Sequence, residues 1–275
     1  MPSNDSTSDL DVIEARCDWI TATGKKTGQA ANLFDFAHSQ LDAETNAGGK
    51  LESWHFQGYS GFQSGNWRVG WGREGSIAIA SQEQAAIAAR TLADLSDHFS
   101  RIDYCVTGIS NLPNFNPVSD FWRRIKLDPE RPKNAPEATI ILKSRGGETF
   151  YLGERTAAYY TRVYNKHFES DGEYPPGTWR FEVELKRHAS EFEHTRLKER
   201  LPTEQDVLGK VATELIRQGL PAPWKSDAPI HRARTPVRKH TADKVLTWLE
   251  RAVSPSIEFA SAARGRKRVI QALKL

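Results

Sequence analysis

Eight stretches of the chain alternate apolar and polar residues with a period of two: 16–22, 67–72, 76–80, 101–107, 138–143, 148–152, 160–166 and 178–186. That period, with their β-branched and aromatic content, predicts strands that bury one face. Gly146-Gly147 between the fifth and sixth makes 138–152 a hairpin candidate. Helical spacing predicts helices at about 29–43, 82–97, 188–199, 205–218, 241–253 and 264–273. The second is the best marked. Ser81 stands at its cap with Gln84 three residues on, and Ala85, Ile87, Ala88, Leu92 and Leu95 recur at helical spacing. The segment 219–240 carries four prolines and a run of positive charge, so it reads as a linker or wrapping loop. Strands fill the first two thirds and helices the last. The predicted class is α+β, an antiparallel-rich central sheet with helices on one face and a polar, chemistry-bearing face opposite, then a small C-terminal helical region. The expected division is a flexible N-terminus over 1–13, a sheet domain over 14–200 and a basic helical region over 201–275.

Alternation also says what the polar face carries. Arg101, Asp103 and Cys105 oppose Ile102, Tyr104 and Val106, while Arg180, Glu182, Glu184 and Lys186 oppose Phe181, Val183 and Leu185. Arg162, Tyr164 and Lys166 oppose Thr161, Val163 and Asn165. A solvated face with cross-strand ion pairs accounts for any one of these strands. Three together are harder to explain that way, because Asp and Glu are poor strand formers. Carboxylates gathered on one face call for a cation between them, and hard oxygen ligands suit Mg²⁺, Mn²⁺ or Ca²⁺. A tyrosine beside such an ion is a candidate nucleophile toward phosphorus. Its ordinary pKa near ~10 means that it needs a base or positive charge nearby. Lys166, two residues on from Tyr164, is placed to steady the phenolate or the phosphate.

Composition narrows the class without changing it. Among 275 residues, 38% are apolar and 10% aromatic, enough for a folded core. Two cysteines, Cys17 and Cys105, cannot build a disulfide framework and read as buried thiols in a reducing cytoplasm. No apolar run approaches ~18 residues and the first residues are polar and acidic, so a soluble cytoplasmic protein is expected. Residues 1–185 hold 19 Lys/Arg against 25 Asp/Glu, whereas residues 186–275 hold 19 against 10. That asymmetry places polyanion binding at the C-terminal end. There Arg232, Arg234, Arg238, Lys239, Arg266, Lys267 and Arg268 are candidates for duplex phosphate contact, joined by Arg180 of the polar face. The aromatic and glycine-rich segment 54–72 has two readings: a surface that stacks single-stranded bases, or a β-hairpin whose rings pack on the sheet.

The series RIDYCV (101–106), TFYLGERTAAYYTRVYNKHFE (149–169) and WRFEVELK (179–186) resembles, in order and spacing, the Rep_trans family of replication initiation proteins, over about 15–255. The resemblance implies an initiator of rolling-circle replication of a plasmid or filamentous phage. In such a protein Tyr164 would attack a phosphodiester at the double-strand origin, keep the 5′ end as phosphotyrosine and free a 3′-OH. The sheet domain 14–200 would then be the nicking domain. The resemblance further implies that Asp103 and Glu182, with Glu184, hold a divalent ion (Mg²⁺ or Mn²⁺), and that Arg162 and Lys166 sit near the scissile phosphate. The chain departs from the family pattern at Thr107, where a second acidic residue is usual; Glu184 or Glu169 would complete the ligand set, and His167 is a further candidate. Tyr160 or its neighbour Tyr159 is a rival nucleophile, and Tyr104 and Tyr151 read as packing. Expected partners are origin DNA in both single- and double-stranded form, a host polymerase, a second copy in a homodimer and a separate host helicase. The helicase is expected because the chain holds no Gly-x-x-x-x-Gly-Lys-Ser/Thr stretch. A nuclease that activates water with the carboxylates and a non-catalytic DNA-binding regulator remain as alternatives.

Overall fold

In the computed structural model of the chain, residues 9–110, 112–128, 136–143 and 147–225 are described. The predicted helices at 241–253 and 264–273, and the basic positions from Arg232 to Arg268, lie outside them. Ten strands follow one another as β1 (Asp11–Lys25), β2 (Glu52–Phe56), β3 (Tyr59–Ser64), β4 (Trp67–Gly72), β5 (Gly75–Ser81), β6 (His98–Ile109), β7 (Ala138–Leu142), β8 (Glu148–Leu152), β9 (Tyr159–Asn165) and β10 (Thr178–Lys186). Among the described residues six helices are interspersed: α1 (Ala30–Asn46), α2 (Gln82–Asp94), α3 (Pro117–Leu127), α4 (Lys166–Glu169), α5 (His188–Glu199) and α6 (Glu204–Arg217). The strands form one sheet in the order β2-β3-β4-β5-β1-β6-β10-β9-β8-β7, antiparallel at every pairing. This is the α+β architecture that the alternation predicts.

One face of the sheet is apolar because its strands place Ile20, Ile102, Val106, Phe150, Val163, Phe181, Val183 and Leu185 on a single side, all buried. Helix α1 covers β4 and β5, α2 and α5 lie over β1 and β6, α6 crosses β1, β6 and β10, and α3 packs beside β8. Phe121 of α3 meets Phe150 and Phe181 edge-on at 5.8 and 6.2 Å, an arrangement that aromatic quadrupoles favour. Tyr104, fully buried on this side, donates its hydroxyl hydrogen to Glu193 of α5 at 2.8 Å. A buried carboxylate must be paired, and Lys210 of α6 and Arg196 close the network at 2.7 Å each.

Several elements differ from their sequence pattern. β2 and β3 pair as the hairpin that is one of the two readings of 54–72, and continue as a meander into β4. α3 is an additional helix, and Asn116 caps it by accepting from the Ser119 amide at 2.9 Å. Ser81 does stand at the N-cap of α2, but its hydroxyl donates to the Asn66 carbonyl at 3.2 Å instead of capping the helix. Ile87 of that helix is 70% exposed and belongs to the outer face. Strand β9 ends at Asn165, which caps α4, so Lys166 opens a helix and is not the last strand residue. Among the described residues no helix is long and apolar enough to cross a membrane.

Candidate functional site

Strands β1, β6, β10 and β9 stand side by side, and their registers place the polar residues in rows on the face away from the helices. Thr107 faces Arg180, which faces Tyr164; Cys105 faces Glu182, which faces Arg162; Asp103 faces Glu184, which faces Tyr160. Residues directly opposite one another share a face and lie close enough to interact. The face therefore gathers Asp103, Glu182, Glu184, Arg162 and Tyr164, drawn from three stretches of sequence. Strand β1 adds residues that periodicity alone did not single out. A bulge between Cys17 and Trp19 turns Asp18 into the site beside Arg16, and Glu14 stands opposite Thr107. The hydroxyl of Thr107 donates to Glu14 at 3.1 Å. A carboxylate thus meets Thr107 from a neighbouring strand.

The phenol of Tyr164 donates to Glu182 Oε1 at 2.6 Å, a diagonal contact across β9 and β10. Burial, and next the charge of Glu182, push the Tyr164 hydroxyl well above its usual pKa. Two charge networks flank this pair. In the first, Arg101 pairs with Asp103 and, at 3.0 Å, with Glu184; Arg162 pairs with Glu182, and Lys186 with Glu184. In the second, Arg180 donates to Thr107 at 2.9 Å and to Glu14 at 2.7 Å, and Arg16 pairs with Glu14 and Asp18 at 2.6 and 3.1 Å. Arg180, a predicted DNA contact, is therefore buried and committed within the sheet face. Burial raises the Asp103 carboxyl to about 6 against the pull of Arg101. Both thiols are free and buried, and burial pushes that of Cys105 up, which leaves it a poor nucleophile.

A cleft of about 630 Å³ opens over Tyr164 and Glu182. Its wall includes Arg16, Arg162, Arg180 and Lys166. Lys166 pairs with Glu169 at 2.6 Å, with its ammonium 6.0 Å from the Tyr164 ring. Tyr151 also lines the cleft and stacks on Tyr160 at 5.9 Å, so it belongs to this face and not to the apolar packing that its pattern suggests. Tyr159 points the other way, against Arg217 at 4.2 Å. His167 meets the Tyr174 carbonyl at 2.6 Å. Gly153, the glycine of the turn before β9, has φ +94°, a backbone conformation that a side chain would strain.

Asp103, Glu182 and Glu184 offer the hard oxygens that Mg²⁺ or Mn²⁺ prefers. Among the described residues, however, no three His, Cys, Asp or Glu side chains gather closely enough to hold a metal ion. Guanidinium and ammonium groups stand between the carboxylates instead. Glu182 Oε2 and Glu184 Oε1 are taken up by ion pairs with Arg162 and Lys186. As arranged, the three carboxylates do not fit a shared ion.

A family model described as replication initiation factor (Rep_trans) matches residues 126–273, more than half of the chain. No curated protein matches the chain. Among solved structures, a rolling circle replication initiator protein from Geobacillus stearothermophilus has a similar fold, with a TM-score of 0.52 at 16% identity. The match covers 76% of this chain and 85% of that one.

Proposed function

Because the chain belongs to the replication initiation factor family, we propose that it begins rolling-circle replication by nicking one strand of an origin with Tyr164. The observation that carries this reading is the Tyr164 hydroxyl, 2.6 Å from Glu182 and facing a cleft walled by arginines. The fold shared with a rolling circle initiator supports it. In the resting site the phenol keeps its proton, since burial and the adjacent carboxylate both oppose phenolate. Glu182 therefore takes that proton as the phenol oxygen attacks phosphorus. The new O–P bond replaces the bond from phosphorus to the 3′ oxygen, which departs and takes a proton from water in the cleft to become a 3′-OH. The 5′ phosphate stays on Tyr164 and the 3′-OH primes a host polymerase. Arg162 and Lys166 face the charge that grows on the phosphoryl oxygens. The resemblance also implies Mg²⁺ or Mn²⁺. In the arrangement seen here guanidinium groups carry the positive charge beside the carboxylates, so the ion's part has to be measured directly. A second copy and a separate helicase, which opens the duplex ahead of synthesis, complete the proposed machinery.

The test is to incubate the protein with supercoiled DNA bearing its origin, in Mg²⁺, Mn²⁺ or a chelator, and to look for a covalent protein–DNA adduct. The adduct is expected from the native chain and from Tyr160→Phe, and not from Tyr164→Phe. Glu182→Gln is expected to slow its formation by about 100-fold or more. An adduct that survives Tyr164→Phe but not Tyr160→Phe moves the nucleophile. Nicks without any adduct indicate attack by water, and the absence of nicks under every condition indicates a regulator that only binds.

A further inference from the structure

The polar face does not end at the candidate site. On the far arm of the sheet Trp54 stands opposite Gly61, Gly61 opposite Gly70, Gly70 opposite Ile77, Ile77 opposite Thr23 and Thr23 opposite His98. The adjacent row runs through Gln63, Arg68, Ile79 and Thr21 to Arg101. Both rows share one face, and Arg101 is the residue that holds Asp103 and Glu184. Trp19 bridges the two regions, with Arg68 and Arg101 over its ring at 5.4 and 4.9 Å. Among the described residues, helices α1, α2, α3, α5 and α6 pack on the opposite, apolar side.

Two features shape the far arm. First, its floor is bare. A Cβ on Gly61 would meet the Val69 carbonyl oxygen at 2.0 Å, and one on Gly70 would press on the Trp54 ring at 3.1 Å. Strand β3 thus tolerates no side chain at Gly61, and one on Gly70 would have to push aside the Trp54 ring that lies across the trough. That ring stacks with the ring of Phe56, 5.7 Å away and 17° from parallel, and Phe56 is 40% exposed. Second, the trough continues into a groove of about 570 Å³ lined by Lys25, Lys26 and Arg73 among others. Glu74 shares the groove with these three cations, the Asp97 carboxylate beside it accepts the Lys25 amide hydrogen at 2.6 Å, and Glu52 at the edge is paired with Lys50 at 2.8 Å.

We propose that this trough binds single-stranded DNA, with unpaired bases on Trp54 and Phe56 and the backbone along Lys25, Lys26 and Arg73. The inference rests on the reading of the other arm as a nicking site, since the same strand would run from one to the other. Aromatic rings presented on a sheet face accept splayed bases of any sequence, and a basic groove tracks their phosphates. Bases held inside a duplex do not present their faces to such rings. From β2 to β10 there are six inter-strand steps, on the order of 29 Å at ~4.8 Å each. A strand several nucleotides long is therefore needed to occupy both arms.

The experiment measures equilibrium binding of the full chain to labelled single-stranded oligothymidylate and to a duplex, each of about 25 nucleotides. The variant Trp54→Ala/Phe56→Ala is expected to lose affinity for the single strand by about tenfold or more, with less than a twofold change for the duplex. Trp54→Phe, which keeps a stacking face, is expected to retain most of the affinity. The variant Lys25→Gln/Lys26→Gln/Arg73→Gln changes exposed residues only, and reads the same groove through a shallower salt dependence, by about 0.7 for each phosphate no longer neutralised. Unchanged single-strand binding in both multiple variants overturns the proposal, as does an equal loss for the duplex. Loss of single-strand binding in a chain that forms no Tyr164 adduct keeps the trough and removes the nicking reading. A Tyr164 adduct with unchanged binding in the variants does the reverse.

Discussion

Asp103 is buried among charges, and burial lifts its carboxyl to about 6 although Arg101 holds it with two hydrogen bonds. A carboxyl whose folded pKa exceeds its ordinary value near 3.8 binds more protons folded than unfolded across the interval between them. Its contribution to stability is therefore complete below about pH 4 and is lost as pH rises through about 6. Thermal melts of the native chain and of Asp103→Asn across that window test this. The variant is expected to lack the part of the downward slope that Asp103 supplies, and identical slopes would rule out an unusual carboxyl there. Single residues also show where sequence reading stops. The alternation puts Asp103, Glu182, Glu184, Arg162 and Tyr164 on the polar sides of their strands, because a period of two fixes sides once a strand is recognised, and the pairing of β6, β10 and β9 makes those sides one face. It cannot reveal Glu14, whose partner Thr107 lies 93 residues away in sequence.

Helix α6 opens on a full capping box: Thr203 accepts from the Asp206 amide and the Asp206 side chain accepts in return from the Thr203 backbone. Asp206 is also clamped by both terminal nitrogens of Arg200, at 2.6 and 2.8 Å. Thr203→Ala is expected to cost about 1 kcal/mol in urea denaturation. A cost near zero would mean that the Arg200 clamp alone fixes the helix start. Among the elements, those with a strong period and a buried face were legible, β6, β9 and β10 above all. β2 is legible only through the hairpin reading of 54–72, because it lies at the sheet edge with both faces largely exposed and burial imposes no alternation on it. α3 escaped because it is short, although Asn116 before Pro117 is a start signal and Arg124 and Lys126 suit its last turn. Tyr151 was misplaced for a third reason: in the stretch 148–152 Tyr151 and its neighbours Phe150 and Leu152 are all apolar, and only the pairing of Tyr151 with Arg162 shows which side it takes.

Across the whole molecule the sheet separates two tasks. One face is covered by helices and carries the core, and the other carries a charge lattice at one arm and a stacking trough at the other. Within the lattice five carboxylates (Glu14, Asp18, Asp103, Glu182 and Glu184) meet five cations (Arg16, Arg101, Arg162, Arg180 and Lys186). That balance leaves little net charge there to attract a long polyanion, so duplex affinity has to come from elsewhere in the chain. The excess of positive charge after residue 186 is the source to test. Replacing Arg232, Arg234, Arg238 and Lys239 together with glutamine removes four of those charges. If they neutralise duplex phosphates, the slope of log affinity against log salt should become shallower by about 0.9 for each phosphate no longer neutralised, between about 1 and 4 in all. Adduct formation on a pre-opened single strand should change little, because Tyr164, its partner Glu182 and the Arg162 paired with that carboxylate are all left in place. An unchanged salt slope would show that this stretch is not the duplex-binding element. A missing adduct with an unchanged slope would instead assign it to the chemistry of the nick.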